Sequence, residues 1–112
     1  MANIAVLPPS YKEHTVMEGQ SLYTIPCDTT VDADVRWFYD SPTRGDFTVY
    51  DQGRVWGKFI PRFSLNTSVP RLYGLDISDV QLNDRGNYTC IDNFGQGEQH
   101  IHKLIVQGKW RP

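Results

Sequence analysis

Cys27 and Cys90 are the only two cysteines of the chain, and they stand 63 positions apart. Neither belongs to a Cys-x-x-Cys pair or a Cys/His cluster, which argues against a zinc site. Bonded to each other they would close a long loop, worth ~4 kcal/mol in the chain-entropy model. Such a bond persists in oxidising compartments. Unbonded, they would be two unrelated buried thiols, and spacing alone leaves both readings open. Their neighbours narrow the choice. Alternation places Tyr23, Ile25 and Cys27 on one side of a strand, as it does Val35, Trp37 and Tyr39. Leu75 with Ile77, Tyr88 with Cys90, and Leu104 with Val106 follow the same rule. Both cysteines then point inward on strands far apart in sequence, with a tryptophan inward between them.

The remaining chain reads as all-β. Segments rich in Val, Ile, Tyr, Phe and Thr predict strands at His14–Val16, Leu22–Cys27, Val35–Tyr39, Phe47–Tyr50, Arg62–Leu65, Arg71–Ser78, Asn87–Asp92 and Gln99–Val106. Between them lie Glu18-Gly19, Ser41-Pro42-Thr43, Asp51-Gln52-Gly53, Asn83-Asp84-Arg85-Gly86 and Gly95-Gln96-Gly97, all turn formers. At 112 residues, 39% hydrophobic and 12% aromatic, the chain can bury one core but not two. Eleven basic against 13 acidic residues give a net charge of -2, which removes the electrostatic case for binding nucleic acid. No apolar run approaches the ~18–20 residues that cross a bilayer, so this segment is not expected to insert into a membrane. The opening residues lack the basic start and apolar stretch of a signal peptide.

Catalytic signatures are missing. There is no G-x-S-x-G elbow, no H-E-x-x-H and no P-loop, and Gly95-x-Gly97 lacks the helix a dinucleotide site requires. His100 and His102 share a strand face but have no third ligand nearby in sequence, so they read as a half-buried structural pair. The sequence predicts neither enzyme activity, nor metal, nor cofactor.

The stretch Leu75-Asp-Ile77-Ser-Asp-Val80-Gln-Leu-Asn-Asp84-Arg-Gly86-Asn-Tyr88-Thr-Cys90 resembles the immunoglobulin superfamily pattern L-x-I-x-x-V-x-x-x-D-x-G-x-Y-x-C at every fixed position. Cys27 is followed ten residues later by Trp37, as in strands B and C of that family, and Tyr88 sits where its tyrosine corner falls. The resemblance implies a two-sheet antiparallel sandwich with a Cys27–Cys90 bridge packed on Trp37. The long interval between Trp37 and Leu75 leaves room for C′ and C″ strands, which points to the V-type. Arg62-Phe63-Ser64 resembles the start of strand D in V domains, which implies that Arg62 pairs with Asp84. Residues 1–107 are expected to form the single domain, and 108–112 a linker toward a following one.

Two features depart from antibody domains. Asp40 occupies the position of the glutamine that helps two V domains pair. Phe94-Gly95-Gln96-Gly97 is similar to a joining-segment F-G-x-G, yet it starts only four residues after Cys90. It is expected to make a tight hairpin; the rival is an invertebrate VJ-like receptor domain that recognises ligands by its loops.

With Trp37 inward, Arg36 and Phe38 face outward on the sheet of strands G, F, C and C′, as do Ile91, Ile101 and Lys103. Large apolar groups with a polar rim mark an interaction face. The resemblance then implies an extracellular binding module of immune or adhesion type, on a cell surface or secreted. Its expected partner is a protein, either a second copy as a homodimer or another V-like domain. Val49 or Trp56 folding over the patch would remove it. Arg44-Gly45-Asp46, expected on an exposed tip, is an alternative integrin motif. Asn66-Thr67-Ser68 and Asn87-Tyr88-Thr89 are N-glycosylation sequons, with both asparagines expected to face solvent.

Overall fold

Period-two alternation governs the strands of the computed structural model, which describes residues 8–68 and 73–109. Among the described residues nine strands form: β1 Ser10–Met17, β2 Leu22–Ile25, β3 Arg36–Ser41, β4 Gly45–Asp51, β5 Arg54–Val55, β6 Phe63–Asn66, β7 Gly74–Ser78, β8 Gly86–Ile91 and β9 Gln99–Gln107. They make one sheet ordered β1-β9-β8-β3-β4-β5 and a second ordered β2-β7-β6. The expected all-β two-sheet sandwich is therefore observed, and β4 and β5 supply the C′ and C″ strands. The start of the strand expected from Arg71, and residues 110–112 of the expected linker, lie outside the described residues.

One pairing departs from the antiparallel expectation, because β1 runs parallel to β9. No hairpin joins these two strands, so no turn dictates their direction. Their register aligns His14 with Leu104 and Val16 with Val106. That alignment carries Val16 into the core at 3% exposure.

The core is what alternation predicts. Ile25, Cys27, Trp37, Leu75, Ile77 and Cys90 are fully buried. Cys27 and Cys90 form a disulfide with Cα atoms 5.5 Å apart, joining the segment after β2 to β8 across the two sheets. Trp37 is the in-register neighbour of Cys90, and its indole Nε1 donates to the Tyr73 carbonyl at 3.0 Å. Val49 does not fold over the outer face. The register slips between Trp37 and Phe38, so that Trp37 pairs with Tyr50 and Phe38 with Thr48. Val49 is thus an extra residue turned into the core, as in a β-bulge. Tyr23 and Val106 pack against the core but keep partial exposure.

Arg62 and Asp84 form a two-pronged ion pair, Nη2 to Oδ1 at 2.7 Å and Nη1 to Oδ2 at 2.9 Å. Asp84 Oδ2 also accepts the Gln81 amide at 2.8 Å, and the Tyr88 hydroxyl donates to the Asp84 carbonyl at 2.6 Å. Gly86 follows with φ +146, where a Cβ would approach the Tyr39 ring to 2.5 Å, so only glycine fits. Asp84 is almost fully buried. Removing one partner of such a pair leaves a buried charge uncompensated. Arg62→Ala is expected to lower unfolding free energy by about 2–4 kcal/mol in urea titrations at pH 7.

His100 and His102 are buried rather than half-buried, and they separate. His102 Nδ1 lies 2.8 Å from His14 Nε2, and His14 Nδ1 lies 2.6 Å from the Tyr23 hydroxyl. Burial, reinforced by the neighbouring His14, pushes His102 from the ordinary 6.5 down to about 4. Burial also lowers His14. The unfolded chain therefore binds more protons than the folded one between about pH 6.5 and pH 4. The stability this pair contributes is fully present above that window and is lost as pH falls through it. Urea midpoints should drop from pH 7 to pH 5, with a smaller drop in His102→Asn.

Candidate partner-binding face and F–G turn

On the outer side of the larger sheet, register assembles rows that run across the strands. One row is Tyr11, Ile101, Thr89, Phe38 and Thr48, from β1 through β9, β8 and β3 to β4. A second is Glu13, Lys103, Asn87, Asp40 and Asp46. A third joins Gln99, Ile91 and Arg36. The alternation-derived residues Arg36, Phe38, Ile91, Ile101 and Lys103 thus share one surface. Phe38, Ile91 and Ile101 are half-buried and Lys103 is exposed.

The Arg36 guanidinium covers the Phe38 ring at 4.7 Å, and its Nε lies 3.1 Å from Asp51 Oδ1. A shallow depression lies beside this pair, lined by Phe38, Asp40, Asp46, Thr48, Thr89, Ile91 and Gln99. Trp56 stands near Thr48 and Phe47, with its Nε1 donating to the Asp51 carbonyl at 3.0 Å. Sequence reasoning missed Tyr11, which is 55% exposed, because alternation says nothing about the parallel docking of β1.

At one end of this face, β8 and β9 are joined through a left-handed coil over Asp92–Gly95. Asn93 (φ 51, ψ 59) and Phe94 (φ 58, ψ 27) are both in the αL region, which a phenylalanine rarely occupies. The Phe94 amide donates to the Asp34 carbonyl at 2.6 Å, which holds the ring at the tip, 66% exposed. Phe94-Gly95-Gln96-Gly97 is therefore part of a short closed turn, with no extended loop.

Asp92 makes this turn and was not anticipated; a polar residue leaving a strand normally reads as solvated. It is 3% exposed. Its Oδ1 accepts the Glu98 amide at 2.8 Å, and its Oδ2 accepts the Thr29 hydroxyl at 3.0 Å and faces His100 Nε2 at 3.1 Å. Burial acts to raise the Asp92 carboxyl, but these partners outweigh it and hold it below the usual carboxylate range. His100 Nδ1 faces the Ser10 hydroxyl at 3.0 Å.

His100 does have neighbouring carboxylates, contrary to the sequence reading. Ligand-type atoms of Asp92, Glu98 and His100 lie within 4.8 Å of one another. Both Asp92 oxygens and His100 Nε2 already serve the turn, and His100 Nδ1 is taken by Ser10 of β1, so the arrangement is a hydrogen-bonded lock. His102 takes no part in it.

Arg44-Gly45-Asp46 is not presented as a free tip. Arg44 folds back to donate to the Asn83 carbonyl at 2.7 Å and to Asn83 Oδ1 at 2.6 Å, while Gly45 and Asp46 begin β4. Asn66 is on the outer side of the smaller sheet, where its Oδ1 accepts the Ser68 hydroxyl at 2.6 Å. Asn87 is on the larger sheet, inside the second row above.

Breaking the Asp92 lock removes charge-assisted bonds to three partners. Asp92→Ala should cost about 2–4 kcal/mol by urea unfolding and raise amide exchange at Glu98 and Phe94.

A family model described as the immunoglobulin V-set domain matches residues 10–107. No curated protein sequence matches the chain. Among solved structures, the crystal structure of the ZIG-8 IG1 homodimer superposes with a TM-score of 0.71 at 17% identity, covering 93% of this chain and 85% of that one. At that identity the likeness shows the fold alone. With the family model spanning every described strand and the bridge, tryptophan and tyrosine corner in place, the chain belongs to the immunoglobulin V-set family.

Proposed function

We propose that this V-set domain is a protein-binding ectodomain module that docks through the outer face of its larger sheet, and that a second copy of the chain is the occupant. The observation that carries the reading is the self-complementarity of the rows. A two-fold axis along β8 superposes β9 of one copy on β3 of the other without changing rows. Phe38 then meets Ile101 of the second copy, and Asp40 meets Lys103. The apolar row supplies the buried centre and the charged row the rim that sets register. Like charges also meet, Glu13 against Asp46, at the margin where solvent screens them.

The structurally similar ZIG-8 IG1 is described as a homodimer, which is in keeping with self-association of a domain of this fold. V-set domains are generally binding modules without catalytic activity, and the buried disulfide suits an oxidising, extracellular setting. Residues 10–107, the span of the family match, form the module in this reading. The loop-recognition reading keeps one favourable observation, the exposed Phe94 held at the turn tip. Its weakness is the shortness of that turn. The Arg44–Asn83 clamp weighs against the integrin reading.

Sedimentation equilibrium of the disulfide-bonded domain from micromolar to near-millimolar concentration tests self-docking. A dimer is expected, weakened about tenfold or more by Phe38→Asp, equivalent to about 1.4 kcal/mol. Lys103→Asp should weaken it too, and adding Asp40→Lys should restore it. A monomer at every concentration would overturn self-recognition and leave another V-like domain as the partner.

A further inference from the structure

We propose that the sequon Asn87-Tyr88-Thr89 is a modification site that closes this face, so that a glycan on Asn87 and a docked protein exclude each other. What the glycan would block rests on the reading above. Where it would stand rests on geometry alone. Asn87 lies on β8, with β9 on one side and β3 on the other, and pairs with Lys103 and Asp40. Tyr88 and Cys90 on either side of Thr89 are buried, which turns Asn87 and Thr89 outward together. Thr89 itself sits between Ile101 and Phe38 in the apolar row. Among the described residues, no side-chain hydrogen bond ties the Asn87 carboxamide down.

Adjacent strands are only about 4.8 Å apart, so Lys103 and Asp40 lie one strand away on either side and Phe38 and Ile101 lie diagonally beyond. A branched glycan is larger than all of these spacings. A stable interface needs about 800 Å² of contact from each partner. Asn87 is on the central strand of the face, in the charged row directly beside the apolar one, so a glycan there stands over the contact it borders.

The modification joins Asn87 Nδ2 to the anomeric carbon of a polyprenyl-pyrophosphate-linked oligosaccharide. The bond from that carbon to the pyrophosphate breaks, the pyrophosphate leaves, and the amide nitrogen loses one proton. Asn66 gives the contrast: it faces outward on the other sheet beside Asp76 and Ser68, so a glycan there leaves the docking face clear.

The test uses the whole chain secreted from a glycosylating host, with Asn66→Gln so that Asn87 is the single sequon in use. Intact mass should show a glycan at Asn87. A bulky amine-reactive reagent should then label Lys103 about fivefold or more slowly than in Asn87→Gln, with Lys58 unaffected. Self-association should be present in Asn87→Gln and lost in the glycosylated chain. An unmodified Asn87, or equal labelling of Lys103 in the two proteins, overturns the inference. A monomeric Asn87→Gln counts against self-recognition alone, because the labelling ratio still decides whether the glycan covers the face.

Discussion

The bond from Cys27 to Cys90 ties the second sheet to β8 in the larger one, and Trp37 fills the space beside it in the neighbouring strand. Bridging 63 positions, it removes loop-closure freedom worth ~4 kcal/mol from the unfolded chain. Its second effect is on register. Trp37, Cys90 and His100 lie in one inward row, and Tyr39, Tyr88 and His102 in another two residues away. The row between them, Phe38, Thr89 and Ile101, has no option but to face outward. A slip of one residue would expose Trp37 and bury the charged row. Core and candidate face are therefore two readings of one constraint.

This is why so much was legible. Wherever an apolar residue declared the inward side, its neighbours' outward direction followed, which recovered Arg36, Phe38, Ile91, Ile101 and Lys103 without coordinates. What stayed hidden depends on partners distant in the chain. Tyr11 joins the face only because β1 docks parallel to β9. Val49 turns inward only because β4 carries one more residue than its register with β3 allows. Arg44 looked free because Asn83, its partner, is far away in sequence. The partners of Asp92 stayed hidden for the same reason, since Thr29 belongs to another loop.

The buried polar groups have a common placement. Asp84 precedes β8 and is held by Arg62, while Asp92 follows β8 and is held by Thr29, His100 and the Glu98 amide. Each carboxylate would be costly in the interior if unpartnered. Each also fixes a turn, so the strand at the centre of the face is pinned at both ends. A rigid surface loses less conformational entropy on binding than a loop-borne one. The pinning at Asp92 also explains how Phe94 is kept in a left-handed conformation that it would not adopt alone.

A sheet can recruit a partner along an edge or across a face, and the two make different demands. At one edge of the larger sheet β5 has only two residues, too few to template an added strand. At the other edge β1 is longer, but it carries Lys12, Glu13 and His14 in succession, and Lys12 is already paired with Asp28 at 3.0 Å. Charges at an edge oppose strand addition. The face has the opposite character, with its charges at the margins and its apolar groups in the middle. Asn87, on the central strand, stands in the charged row directly beside that apolar centre.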